Sequence, residues 1–189
     1  CSEFERSFRK GYSCATYDGR AADIVRDMKY RGNPWIARKI ALIMRDKILS
    51  ESDPVTGELP HWDLLIPAPM NIMKKKKRGY DQAALIAGFL SREFGVPCAD
   101  GILIRNRSTD VMSALSADER RANLTGAFSL NAYAADRLRE QDILLIDDVF
   151  TTGSTADACA EVLLSGGANN VDVFVFASGA DKSRPGLWL

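Results

Sequence analysis

The sequence predicts an α/β domain in which a mostly parallel sheet carries helices on both faces. Three observations point there. Apolar-rich runs occur over 62–66, 143–146 and 171–176, broken only by Asp63 and Asp172, the pattern of strands buried on both sides. Segments with apolar residues at helical spacing lie between them. Glycine, proline and small hydroxylated residues mark the joints, so strands and helices alternate as in a sheet built from crossover units.

In chain order, residues 1–16 read as a lead-in and residues 17–189 as the domain. Ala21, Ile24, Val25 and Met28 give an apolar face to a helix over 19–31, stopped by Gly32 and Asn33. Pro34 opens a second helix through Ile36, Ile40, Ile43 and Met44. Residues 50–60 are polar, with Pro54 and Gly57, and read as a loop. The run over 62–66 reads as a strand entering the tight turn Pro67-Ala68-Pro69. Leu85, Ile86, Phe89 and Leu90 mark a helix closed by Gly95 and Pro97, and residues 102–104 read as a strand. Residues 105–123 are polar and charge-rich. Ile143, Leu144, Leu145 and Ile146 form a buried strand, with a Gly/Thr/Ser turn after it and then a helix to Leu164. Gly166 and Gly167 stop that helix before a last strand over 171–176. Ligands of such sheets bind beyond the carboxyl ends of the strands, so the site should include the residues just after Ile66, Ile104 and Ile146.

Composition narrows the function. A chain of 189 residues suits one domain, and 46% hydrophobic with 26% charged residues is ordinary globular composition, which excludes a disordered or fibrous chain. The 25 basic and 25 acidic residues cancel, so no global field draws the protein onto nucleic acid or an anionic membrane. No apolar run reaches a membrane-spanning length and the first residues carry no signal-peptide core, so a cytoplasmic protein is expected. Cys1, Cys14, Cys98 and Cys159 show no paired spacing and read as free thiols. With His61 as the one histidine, a multi-histidine metal centre is excluded. His61 precedes its strand, at the end opposite the expected site, and reads as structurally ordinary.

The chemistry concentrates in Leu144-Leu145-Ile146-Asp147-Asp148-Val149-Phe150-Thr151-Thr152-Gly153-Ser154-Thr155. A buried strand brings two adjacent carboxylates to its carboxyl edge. The turn around Gly153 then offers backbone N–H groups and four hydroxyls at a helix N-terminus, which suits a phosphate monoester. Carboxylates beside it can accept from a vicinal diol. Diol and phosphate at that separation describe a ribose 5-phosphate. A P-loop would need Gly-x-x-x-x-Gly-Lys-Ser/Thr, which the sequence lacks.

This stretch resembles the 5-phosphoribosyl diphosphate (PRPP) motif of the type I phosphoribosyltransferases. Tyr17-Asp18-Gly19, Lys29-Tyr30-Arg31-Gly32-Asn33, Arg78-Gly79-Tyr80-Asp81-Gln82-Ala83 and Arg120-Arg121-Ala122-Asn123 ahead of Gly126-Ala127-Phe128 resemble the ComF family. That family is associated with DNA uptake in competent bacteria and is similar to the phosphoribosyltransferase domain of amidophosphoribosyltransferases. The resemblance covers about residues 17–177. Three features depart from it. The usual N-terminal four-cysteine zinc module has no counterpart except Cys1, Met112 stands where Gln is usual, and Asp81 where Asn is usual.

The resemblance implies a type I phosphoribosyltransferase fold. It assigns Asp147 and Asp148 to the ribose hydroxyls as the catalytic pair, and Thr151, Thr152, Gly153, Ser154 and Thr155 to the 5-phosphate. It assigns Pro67, Ala68, Pro69 and Met70, with Arg78, to the diphosphate loop. Arg105, Arg107, Arg120 and Arg121 fall in the segment matching a mobile loop that closes over PRPP. The implied activity is transfer of 5-phosphoribosyl to an acceptor with release of diphosphate. Mg²⁺ is the implied cofactor, carried by PRPP rather than by protein ligands. The other reading is a non-catalytic PRPP- or nucleotide-binding accessory of DNA uptake with a competence-protein partner.

The charge run Lys74, Lys75, Lys76, Lys77 and Arg78 reads mainly as a solvated face. Direct nucleic-acid binding through it is not favoured, because the run lacks interleaved aromatics. Lys29 and Tyr30 end a helix, where a cation either complements the dipole or reaches the site.

Overall fold

The computed structural model describes residues 6–107, 124, 126–179 and 187–188. Among them the chain forms seven strands and six helices. They are, in order, β1 (Lys10–Thr16), α1 (Gly19–Tyr30), α2 (Trp35–Leu49), β2 (Leu64–Pro67), α3 (Ile72–Arg78), α4 (Gln82–Phe94) and β3 (Leu103–Arg105). The second half holds β4 (Phe128–Leu130), α5 (Ala135–Leu138), β5 (Asp142–Phe150), α6 (Ser154–Ser165), β6 (Asn170–Ser178) and β7 (Leu187–Trp188).

The main sheet has the order β2-β5-β6-β1-β7. The pairs β2–β5, β5–β6 and β6–β1 are parallel, and only β7 runs antiparallel, against β1. Strand β5 shows why such a sheet needs two covered faces. Its side chains alternate, Leu144 and Ile146 to one side, Ile143 and Leu145 to the other, and all four are buried. Val25 and Met28 of α1, Ile40 and Met44 of α2, and Ile86 and Leu90 of α4 cover the first side. Ala156, Cys159, Ala160 and Leu163 of α6 cover the second, with Leu103, Phe128 and Leu138 packed beside them. The expected mostly parallel sheet with helices on both faces is therefore what forms.

Two expectations change. Residues 10–16, set apart in the lead-in, form β1 inside the main sheet, with Tyr12 edge-on to Trp62 and Phe174. Gly11 and Ser13 break its apolar run, so no strand pattern shows in the sequence. The strand at 102–104 does not join the parallel sheet. It is β3, paired antiparallel with β4 in a separate two-stranded sheet. Leu103 is buried but Ile104 is exposed, so β3 lacks the two apolar faces that an interior position demands.

The lysine run lies on α3, a helix with no buried residue. Asn71 caps it, its side chain accepting from the Met73 and Lys74 amides at 3.0 and 3.3 Å, and Gly79 ends it in the left-handed region. Asp81 does the same for α4, accepting from the Ala84 amide at 3.2 Å. Asp and Asn both serve as N-caps, which accounts for Asp where the family pattern has Asn. No helix of the described residues is long and apolar enough to cross a membrane.

Candidate functional site

At the carboxyl edge the strands are stitched together. Ala68 N–H donates to Ile146 O at 2.8 Å, Gly179 N–H to Phe150 O at 2.8 Å, and Tyr17 N–H to Ser178 O at 2.6 Å. This aligns the ends of β2, β5, β6 and β1 in one rim. A cavity of about 320 Å³ opens there, lined by Asp147, the end of β5, the turn over 151–153, the first turn of α6, and Val175.

The turn is built for this position. Gly153 has φ +79°, and a Cβ there would lie 2.3 Å from Phe150 Cζ, so any other residue is strained in this turn. As the N-cap of α6 it carries no side chain to close the first turn, whose amides have no intrahelical partner. Hydroxyls surround it, and Thr152 Oγ1 and Ser154 Oγ lie 2.9 Å apart. The expected phosphate residues Thr151, Thr152, Gly153, Ser154 and Thr155 all line the cavity.

The two acids point to opposite faces of β5. Strand alternation sends Asp147 to the α6 side and Asp148 to the α1 side. Asp147 lines the cavity, and its Oδ1 accepts from the Asp148 amide at 2.8 Å. Burial, then the neighbouring Asp148 charge, raises its pKa to about 7. Asp148 is buried on the opposite face and pairs with Lys29, whose Nζ is 2.8 Å from Oδ2. Burial works against the Lys29 charge, but the Asp148 carboxylate and its hydrogen bond outweigh it and raise the lysine pKa. Lys29 thus faces the strand rather than simply ending its helix. Cys159 lies beneath, fully buried; burial and then Asp147 push its thiol up, while Arg105 acts in the opposite direction.

Pro67 ends β2 opposite Ile146, Ala68 bonds to the Ile146 carbonyl, and Pro69 and Met70 follow in the chain. Arg78 is turned toward α1 and α4, its guanidinium 6.0 Å over the Tyr30 ring and hydrogen-bonded to Gln82. The Tyr80 hydroxyl donates to Met28 O, which locks this region onto α1. Neither Arg78 nor the turn after β2 lines the cavity. Of the loop arginines, Arg105 lies 5.5 Å over the Phe128 ring and Arg107 comes just after β3, while Arg120 and Arg121 lie outside the described residues. His61 is exposed, 3.1 Å from Asp63, at the far end of the sheet.

One residue at the site had no sequence signal. Arg6 donates to Thr152 O at 3.1 Å, across 146 positions of chain. Cys14, Cys98 and Cys159 are free thiols.

No protein-family model matches the chain. Competence protein F of Haemophilus influenzae is 30% identical over 177 residues, spanning 94% of this chain and 76% of that protein. The DNA utilization protein YhgH of Escherichia coli O157:H7 is 28% identical over 174 residues, 92% of this chain and 74% of that one. Among solved structures, the chain is similar to the glutamine PRPP amidotransferase from B. subtilis, at 18% identity and TM-score 0.48. That likeness covers 79% of this chain and 30% of the amidotransferase. A hypoxanthine phosphoribosyltransferase from Staphylococcus aureus shows 12% identity and TM-score 0.42, covering 77% and 65%. On the extent and identity of the first of these matches, the chain belongs to the competence protein F family.

Proposed function

We propose that the cavity binds PRPP or a ribose 5-phosphate and that the chain is a phosphoribosyltransferase of the type I kind. One observation carries this reading: a single cavity combines the Asp147 carboxyl with a hydroxyl-rich turn leading into the uncapped start of α6. The turn takes the phosphate, through backbone N–H groups and the dipole end of a twelve-residue helix. Asp147 takes the ribose hydroxyls. The proposed reaction breaks the C1–O bond to diphosphate, which leaves with the electron pair, and forms a bond from C1 to the acceptor. Positive charge develops on the ribose at the transition state. The chain supplies orientation, exclusion of water and a negative group near that charge, and needs no nucleophile of its own.

Mg²⁺ would enter this site together with the diphosphate of the ligand. Among the described residues no three His, Cys, Asp or Glu side chains converge as a metal cage. Asp147 is the carboxylate at the cavity and could hold the ion together with diphosphate oxygens and water. When bound, the ion would neutralise diphosphate charge and orient the leaving group.

The relatives' names, a competence protein and a DNA utilization protein, motivate a second reading: a PRPP- or nucleotide-binding accessory of DNA uptake working without turnover. Incubation with PRPP, Mg²⁺ and a panel of purines, pyrimidines and amines separates the two. Acceptor-dependent diphosphate release supports the transferase. Binding of PRPP or a nucleotide without release supports the accessory, and a chain that binds neither PRPP, ribose 5-phosphate nor a nucleotide defeats both.

A further inference from the structure

We propose that Arg6 is a positioning residue of the phosphate site: it sets the orientation of the Thr152–Gly153 peptide and so presents the Gly153 N–H to a bound phosphate. This role rests on reading the cavity as a phosphate-monoester site.

The segment over 6–9 crosses the start of α6 and is fixed there. The Ser7 amide donates to Asp157 Oδ1 at 2.7 Å, in the first turn of α6. Phe8 is buried with its ring edge-on to Phe150, centroids 6.2 Å apart. Arg9 holds Asp172 with two hydrogen bonds of 3.0 and 2.8 Å. Three successive residues are therefore anchored, and Arg6 reaches the turn with its backbone already placed. Little ordering remains to oppose its contact.

The contact has a specific consequence. Thr152 O and Gly153 N–H are the two ends of one planar trans peptide, so they point in opposite directions. A group that grips the oxygen fixes the direction of the N–H. Gly153, at φ +79° and ψ −6°, has the dihedrals of the third residue of a type II turn. Flipping the preceding peptide would give a type I turn, which glycine adopts as readily. Something must choose between them. Phe150 packs against one side of Gly153, and the Arg6 guanidinium holds the carbonyl, its Nη1 only 3.0 Å from where a Cβ would stand. Arg6 is not among the cavity-lining residues, so it acts from outside, through the peptide.

The test compares wild type, Arg6→Ala and Arg6→Lys, using ribose 5-phosphate and inorganic phosphate as calorimetric probes. Arg6→Ala should weaken both by about tenfold, the loss expected for one oriented donor to an anion. Arg6→Lys keeps a donor of similar reach and should recover most of the affinity. In the free protein, the Gly153 amide resonance should move in Arg6→Ala and return toward wild type in Arg6→Lys. The melting temperature should stay unchanged, since this contact is solvent-exposed. A deficit that disappears at high salt would show a screened charge effect and overturn the positioning role. So would equal affinity in wild type and Arg6→Ala. If wild type binds neither probe, the phosphate reading of the cavity falls and this role falls with it.

Discussion

Lys29 Nζ lies 2.8 Å from Asp148 Oδ2, tying the last turn of α1 to the strand that carries the acidic pair. Both side chains are largely removed from water, so the pair differs from a surface salt bridge in what its loss would do. Lys29→Met should destabilise the fold by about 2–4 kcal/mol, because it strands a buried carboxylate. Adding Asp148→Asn should recover more than half. The lysine pKa is raised, so its contribution is full below its unfolded value near 10.4 and is lost only as pH rises through the folded value. Lys29 also favours the ionised form of Asp147, so the cost should be larger above about pH 7, where Asp147 is charged, than below it. Urea denaturation of the single and double variants measures it; additive losses would show that the pair is not coupled.

Gly153→Ala tests the turn. The new Cβ would sit 2.3 Å from Phe150 Cζ at a φ of +79°, and should cost about 1–3 kcal/mol. Gly57 has a similar φ of +71° but open space around it, so Gly57→Ala should cost only about 1 kcal/mol. The difference isolates packing from backbone strain. Equal losses in denaturant titrations would mean that Phe150 yields, and that the turn is not held as tightly as the geometry indicates.

Parts of this molecule were legible because burial writes itself into sequence. The core of β5 is four consecutive apolar residues, and the turn after it places glycine and hydroxyls where a helix begins. Strand β1 was not legible, because Gly11 and Ser13 interrupt its pattern and its partner β6 lies far along the chain. The divergence of Asp147 from Asp148 was implicit in strand alternation, yet adjacency in sequence suggested joint action. The family pattern flagged Lys29 and a helix-end rule offered an ordinary account of it; only the fold brings it to Asp148. Arg6 left no trace at all, since its partner is a backbone carbonyl, which no side-chain motif encodes.

At the amino end of the sheet, Asp172 gathers three donors, Arg9 Nε and Nη2 at 3.0 and 2.8 Å and the Trp62 indole N–H at 2.8 Å. Asp172→Ala would leave the buried indole without an acceptor and remove the side-chain anchor of Arg9. The expected loss is about 2–4 kcal/mol, since half of the Arg9 side chain can turn to water. Asp172→Asn keeps an acceptor for the indole and should lose less. Unfolding followed by tryptophan fluorescence reports both; a loss below about 1 kcal/mol for Asp172→Ala would count against this cluster as an anchor.

Asp147 lacks a partner of the kind that Asp148 has in Lys29, and its carboxyl is raised to about 7 by burial and by its neighbour's charge. Between about pH 4 and pH 7 the folded chain therefore holds a proton that the unfolded chain has released, and stability falls as pH rises through that window. Above it the cost is constant. Asp147→Asn removes the titration, so the variant should melt several degrees higher than wild type at pH 8, with the gap shrinking toward pH 4.5. The same change should weaken ribose 5-phosphate binding by about tenfold, through loss of a charged acceptor for the ribose hydroxyls. Stability gained where binding is lost is the mark of a group retained for a ligand rather than for the fold. Thermal melts across pH, paired with calorimetry, check both halves. A variant less stable than wild type at pH 8 would show that the carboxylate is held by favourable contacts, and the assignment of Asp147 to a ligand would lose its physical basis.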